Sequence, residues 1–237
     1  MRKVRLFEVD RLLKREYGSP ARRKKQDPID ELIRTVLSQN TSDKNSYWAF
    51  DNLKAHFRIH EELKGAKSAT IERLIRSGGL AGIKSRRIKG ILNEIYQDRG
   101  RLSLDFLRHK TKEEALNYLR SLKGVGPKTA ACVLLFSFGM PVMPVDTHIL
   151  RVSKRLGILK KDITAEEAHE RFAQLLPQGA GFIYRFHINL IEHGRKVCHA
   201  GMPECPRCAL KKVCNYYQVA NVTNKACLTA RQAMLKV

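Results

Sequence analysis

Helical periodicity runs through almost the whole chain, and it restricts the possible folds more than any other feature. Apolar residues recur three and four positions apart, as in the series Ile88, Ile91, Leu92 and Ile95. Two capping boxes also mark helix starts. They are formed by Thr111 with Glu114 and by Thr164 with Glu167. Alternating strand patterns are hard to find, so the sequence predicts an all-α fold of about ten helices.

The net charge of the chain restricts the kinds of binding partner that it can have. Lys and Arg total 45 against 23 Asp and Glu, which gives a formal charge of +22. Because the basic residues are spread over structured segments rather than gathered in a tail, a nucleic acid is a better partner than a membrane surface. No apolar run reaches the roughly 20 residues that cross a bilayer. We therefore expect a protein of the reducing cytoplasm, where cysteines are more often ligands or core residues than disulfides.

Four cysteines form the most compact pattern in the sequence. Cys198, Cys205, Cys208 and Cys214 are separated by six, two and five residues. Such a set can bind either Zn²⁺ or an iron–sulfur cluster. Structural zinc sites usually contain two close pairs, whereas only one Cys-x-x-Cys pair occurs here, so we favour a [4Fe–4S] cluster.

The two remaining cysteines and the only tryptophan carry weaker signals. Cys132 lies in an apolar helical segment and is predicted to be a core residue, and Cys227 stands apart from the other cysteines. Trp48 is also predicted to belong to the core.

A glycine-rich turn between two helical segments is the second strong motif. Residues 122–130 read LKGVGPKTA, with Pro127 suited to the first position of a helix. Such a turn exposes backbone N–H groups at the helix start, which favours the binding of a phosphate. Lys128 falls in the first helical turn, where the positive end of the helix disfavours a protonated amine. The turn predicts a DNA anchor, and Lys128 is either a phosphate contact or a nucleophile.

An isolated carboxylate, Asp146, lies about eighteen residues after Lys128, in the sequence Val-Asp-Thr-His. Asp146 can act as the N-cap of the next helix, as a catalytic group, or as both.

The three motifs together resemble the endonuclease III family of helix–hairpin–helix DNA glycosylases. The resemblance rests on LxGVGxKTA, VDTH and the cysteine spacing, in this order, and extends from about Asp27 to Cys214. It implies that Lys128 attacks C1′ of a damaged nucleotide, displaces the base and forms a Schiff base that permits β-elimination. It further implies that Asp146 stabilises the cationic sugar and that the four cysteines hold a [4Fe–4S] cluster.

The resemblance also implies residues that contact DNA. The family fills the gap left by the extruded nucleotide with two wedge residues, one of them a glutamine in Ser-Ala-Gln-x-Thr-Asp. Here Asn40 takes the place of that glutamine, Gln39 replaces the alanine, and Leu80 matches the second wedge. Further contacts are expected from the hairpin and from basic residues around the cysteines. These are Gly124, Val125, Gly126, Thr129, Arg195, Lys196, Arg207, Lys211 and Lys212.

The implied architecture is two helical domains that flank a DNA-binding cleft. A six-helix barrel is expected over 27–143, with the helix–hairpin–helix motif at about 116–138. The second domain is expected to combine 1–26 with 144–237 and to carry the cluster loop, 198–214. The family norm is a monomer. We expect this protein to lie in the cytoplasm, associated with the nucleoid, and to bind duplex DNA that contains a damaged base or an abasic site.

Two other functions remain open at this point. A monofunctional glycosylase that removes mismatched uracil or thymine would fit the unusual Gln39-Asn40 pair, but Lys128 argues against it. A non-enzymatic iron–sulfur regulator that binds DNA would explain the charge and the cysteines, but not Lys128 together with Asp146. The preferred interpretation is a bifunctional glycosylase/AP lyase that acts on oxidised pyrimidines.

Overall fold

The computed structural model describes residues 2–21 and 26–219, and these contain helices and turns but no strand. Cys227 lies outside the described residues, as do positions 22–25 and 220–237 of the expected second domain. Eleven α-helices occur in the described part of the chain. They are α1 (Arg2–Tyr17), α2 (Pro28–Leu37), α3 (Asp43–His56), α4 (His60–Gly65), α5 (Ser68–Leu74), α6 (Ala81–Arg99), α7 (Lys112–Ser121), α8 (Pro127–Val133), α9 (Thr147–Leu156), α10 (Ala165–Leu175) and α11 (Ala180–Lys196). The predicted all-α class is confirmed.

The helix starts follow the local signals in the sequence. The Asp27 side chain accepts hydrogen bonds from the N–H groups of Ile29 and Asp30, and Pro28 occupies the first position of α2. Both capping boxes are formed, at the starts of α7 and α10. Each box satisfies backbone donors that an uncapped helix would leave without a partner.

The chain divides into two compact units at Pro144 and Val145. The first to be described, Arg23–Pro144, is built around α2, which packs against α3, α6 and α8. Eight of the ten residues of α2 are buried, so this helix is the centre of an apolar core. Cys132 is 4% exposed on α8, as predicted, but Trp48 on α3 is 60% exposed. The prediction of a core Trp48 was therefore wrong, because the indole lies on the outer face of α3.

The second unit combines Met1–Arg22 with Val145–Val237. Within it, α11 packs against both α1 and α9. The Arg185 guanidinium of α11 forms an ion pair of 2.7 Å with Asp10 of α1, and the Tyr17 hydroxyl lies 3.0 Å from Nδ1 of His193. The first contact lies in the first half of α11 and the second in its last turn, shortly before the cysteine loop, so α1 is held along the length of α11. No helix in the described residues has the length and apolarity needed to cross a membrane.

Candidate nucleic-acid and catalytic site

The glycine-rich turn between α7 and α8 is a tight, anchored hairpin. Leu122 and Val125 are buried, and the Val125 N–H donates to the Leu122 carbonyl over 3.0 Å. The Lys123 N–H donates to a Glu94 carboxylate oxygen of α6 over 2.8 Å. The hairpin is thus fixed both by its own backbone and by the neighbouring helix.

The two hairpin glycines meet different requirements. Gly124 has φ +93°, and a Cβ there would lie 2.8 Å from Nε of Arg87. Gly126 is extended at φ −88° and has open space where a Cβ would stand. Having no side chain, Gly126 leaves the first-turn N–H groups of α8 without a side-chain cap. This is the arrangement in which a helix start accepts an external anion.

Lys128 lies half-buried in the first turn of α8, while Lys123 is exposed on the hairpin. The side chains of Val125 and Thr129 are 5% and 3% exposed. A DNA contact by Thr129 would therefore have to use its backbone, and the Val125 N–H is already bonded within the hairpin. Lys128 is the side chain of the first α8 turn that combines an amine with access to solvent.

The expected wedge residues share an unusual backbone conformation. Asn40 and Leu80 both have φ +51°, and they are the only non-glycine residues with positive φ in the part of the chain that the structure describes. Asn40 is exposed and the Leu80 side chain is 50% exposed, immediately before α6. An L-residue in this conformation costs about 1–2 kcal/mol, so both loops must be held by their surroundings.

Gln39 is engaged inside the unit. Its Oε1 accepts a hydrogen bond of 2.5 Å from Nη1 of Arg87, the residue that also packs against Gly124. Gln39 thus connects the segment that carries Asn40 to the hairpin through Arg87, whereas Asn40 is the residue presented to solvent. Sequence analysis did not identify Arg87, because nothing in the sequence distinguishes it from the other basic residues of α6.

Asp146 is the N-cap of α9. Its Oδ1 accepts from the Ile149 N–H over 2.8 Å, and the side chain is half-buried. The second carboxylate oxygen, Oδ2, does not take part in this hydrogen bond. The capping role expected for Asp146 is therefore present, and it leaves one carboxylate oxygen for other chemistry.

The four cysteines of the loop line one common cavity. Burial raises the pKa of Cys208 to about 11 and also raises the pKa of Cys205 and Cys214. Nε2 of the buried His193 lies 3.6 Å from Sγ of Cys208. A metal centre would displace the thiol protons and supply the positive charge that these thiolates lack.

Two arginines of α9 support the cysteine loop. Nη1 of Arg155 lies 3.3 Å from Sγ of Cys198 and 2.6 Å from the His199 carbonyl oxygen. Arg151 donates to the carbonyls of Cys198 and Gly194. Their spacing of four positions places both on one face of α9, which is the signal that could have identified them from the sequence.

The basic residues expected to face DNA around the cysteines are largely at the surface. Arg195, Lys196, Arg207 and Lys212 are exposed, while Lys211 is half-buried. Several take part in local contacts: Lys196 pairs with Glu192, Arg207 pairs with Glu204, and Lys211 donates to the Pro206 carbonyl. A phosphate would thus compete with existing partners at these three side chains.

Comparison with known proteins identifies the family. The model of the HhH-GPD superfamily of base-excision DNA repair proteins matches residues 33–178. The chain belongs to the endonuclease III family. Endonuclease III of Thermotoga maritima is 36% identical over 200 residues, which cover 84% of this chain and 88% of that protein. A putative DNA glycosylase of Arabidopsis thaliana is 40% identical over 172 residues. The matched region covers 72% of this chain and 57% of that relative.

The structural comparison agrees with the sequence comparison. A trapped covalent intermediate of endonuclease III with DNA superposes with a TM-score of 0.77 at 27% identity, covering 92% of this chain and 98% of the other. Family membership makes this protein a base-excision repair enzyme of the DNA glycosylase/lyase class, which excludes the non-enzymatic regulator.

Proposed function

We propose that this protein is a bifunctional DNA glycosylase/AP lyase that removes oxidised pyrimidines from duplex DNA, with Lys128 as its nucleophile. The observation that carries the proposal is the position of Lys128, half-buried in the first turn after the hairpin. This is the position that carries the nucleophilic lysine in the family it belongs to. A monofunctional glycosylase has no need of an amine at this place.

The proposed reaction has two stages. The neutral Lys128 amine attacks C1′, the glycosidic bond breaks, and its electron pair leaves with the base, which takes up a proton. Ring opening gives a Schiff base between Nζ and C1′. Loss of a 2′ proton then breaks the 3′ C–O bond and nicks the strand, and hydrolysis of the Schiff base frees Lys128.

Asp146 serves the first stage in this proposal. Positive charge builds on the sugar as the base departs, and a fixed carboxylate stabilises that charge. Its capping bond with Ile149 holds the carboxylate rigidly, so little reorganisation is needed during the reaction.

The cysteine quartet is proposed to hold a [4Fe–4S] cluster, as the family usually does. The four thiols line one cavity, and the sequence contains only one Cys-x-x-Cys pair, whereas structural zinc sites usually contain two. When bound, the cluster supplies iron–thiolate bonds that couple folding of the loop to metal binding. Arg155 and Arg151 then keep the loop attached to α9.

Borohydride trapping tests the nucleophile. Wild-type protein that turns over a duplex with one oxidised pyrimidine should become covalently joined to the DNA. Lys128→Gln should form no adduct and no nick but should still bind an abasic-site duplex, because it removes one of many positive charges. Lys123→Gln is the matched control, since that exposed lysine lies on the same hairpin, and it should keep the adduct. Adduct formation by Lys128→Gln at the wild-type rate would refute the assignment.

The lesion is tested separately with a panel of duplexes. Each duplex carries one defined lesion: an oxidised pyrimidine, uracil or thymine opposite guanine, or an oxidised purine. Faster excision of the oxidised pyrimidine supports the proposal. Selective removal of mismatched uracil or thymine without strand cleavage would replace it with the monofunctional alternative. Location at the nucleoid stays a prediction.

A further inference from the structure

The buried Lys84 lies between the loop that carries Asn40, residues 38–42, and the loop that carries Leu80, residues 75–80, which are called the wedge loops below. Lys84 of α6 is 1% exposed, and its Nζ donates to the carbonyl oxygens of Leu37 and Gly78, both over 2.7 Å. Leu37 ends α2, shortly before Asn40, and Gly78 ends the turn that leads to Leu80. One ammonium group therefore joins the backbones of the two loops.

The loops also lie close to each other. A Cβ on Gly79 would stand 4.0 Å from the Asn40 carbonyl oxygen, and one on Gly78 would stand 4.0 Å from the Leu37 carbonyl oxygen. Each loop is short and places a non-glycine residue at φ +51°. A conformation of this kind persists only where neighbouring contacts over-determine the backbone.

A packing role alone does not require a charged group here. Burying an ammonium is costly unless it is fully hydrogen-bonded, and an apolar side chain of similar volume would fill the space without that cost. The cost is offset because both acceptors are carbonyls at the C-terminal ends of helical turns, where the backbone carries partial negative charge. Burial lowers the pKa of Lys84, and the nearby Arg87 lowers it further.

We propose that Lys84 is a positioning residue for the DNA wedge: it fixes Asn40 and Leu80 relative to each other so that both enter the duplex together. The inference rests on the proposed function, because it assumes that these two residues fill the gap left by an extruded nucleotide. Lys84 itself, being buried, does not touch DNA. Pre-ordering the loops avoids an entropy cost at the moment of insertion.

The test compares two duplexes bound by the same variants. One contains a stable tetrahydrofuran analogue of an abasic site with 2-aminopurine next to it, and the other is undamaged. Lys84→Met keeps the length of the side chain and removes the ammonium. We expect it to weaken binding to the analogue by at least about tenfold, which is about 1.4 kcal/mol. It should also reduce the rise in 2-aminopurine fluorescence that accompanies unstacking. Binding to the undamaged duplex should stay within about twofold, because the phosphate anchor at the hairpin is intact.

Lys89→Met is the matched control. Lys89 lies on the same helix and also donates to a backbone carbonyl, that of Ala66, but it does not contact either wedge loop. It should leave both affinities and the fluorescence change as in the wild type. If Lys84→Met and Lys89→Met behave alike, Lys84 is an ordinary structural residue and the inference is wrong.

A double-mutant cycle with Leu80→Ala separates positioning from general loss of stability. If Lys84 acts through the wedge, adding Leu80→Ala to Lys84→Met should weaken binding to the analogue much less than Leu80→Ala alone does. Full additivity would overturn the inference. Should Lys84→Met fail to fold, Lys84→Gln takes its place, because its amide can keep one of the two hydrogen bonds while the charge is removed.

The inference and the proposed function can fail independently. Wild-type protein without excision or strand cleavage on any lesion would contradict the proposed function. Normal wild-type activity, together with an unchanged ratio of the two affinities in the Lys84 variant, would contradict only the role of Lys84.

Discussion

Asp146 has one role that is visible in the fold and one that is proposed for the chemistry, and a pair of substitutions separates them. Asp146→Asn keeps the size of the side chain and an oxygen that can accept from the Ile149 N–H, now 2.8 Å from Oδ1. Asn is about as good an N-cap as Asp. Asp146→Ala removes both the cap and the charge.

The expected magnitudes differ clearly between stability and catalysis. Losing the cap in Asp146→Ala should cost about 1 kcal/mol of unfolding free energy. In a protein of this size that lowers Tm by roughly 2–4 °C. Asp146→Asn loses only the favourable charge at the start of α9 and should cost less than about 1 kcal/mol. Removing one electrostatic stabiliser of the departing-base transition state should slow excision by about 10²–10³-fold in both variants.

The assay follows two reactions on matched duplexes under single-turnover conditions. One duplex carries an oxidised pyrimidine, and the other carries a preformed abasic site. Because the base is already gone from the second duplex, its cleavage should fall much less than excision does in both variants. Melting curves recorded on the same preparations report the capping effect.

Two results would refute this reasoning about Asp146. Wild-type excision by Asp146→Asn would mean that the carboxylate is only a helix cap. Equal slowing of excision and of abasic-site cleavage would mean that Asp146 does not act on the departure of the base.

The remaining predictions concern the metal loop and the hairpin. Cys208→Ser should lose the brown colour and reduce iron from about four atoms per chain towards zero, whereas Cys132→Ser, a buried cysteine outside the quartet, should keep both. A colourless wild type purified anaerobically, with one zinc per chain, would contradict the cluster. Gly124→Ala should lower Tm, because an alanine at φ +93° costs about 1–2 kcal/mol and its Cβ would collide with Arg87. Gly126→Ala, at φ −88° with open space around it, should leave Tm unchanged, and equal losses in the two variants would contradict the hairpin geometry.

Much of the fold and the positions of the motifs follow from local sequence. The capping boxes at Thr111 and Thr164 are formed as predicted, because a cap bonds to backbone groups only two or three residues away. The hairpin before Lys128 and the cap at Asp146 are equally local. Family membership, predicted from the order and spacing of three motifs, is confirmed by the comparisons.

The contacts of the side chains that surround the candidate site depend on the tertiary structure. Lys84 and Arg87 read as part of a basic stretch on α6, yet their partners lie 47 and 48 residues earlier, at Leu37 and Gln39. Arg155 reaches Cys198 across 43 residues. Trp48 is exposed although its hydrophobicity favours the core, because the packing of α3 sets which of its faces is buried. A short-range pattern specifies where a helix begins, but the partner of a long side chain depends on which helices the core brings together.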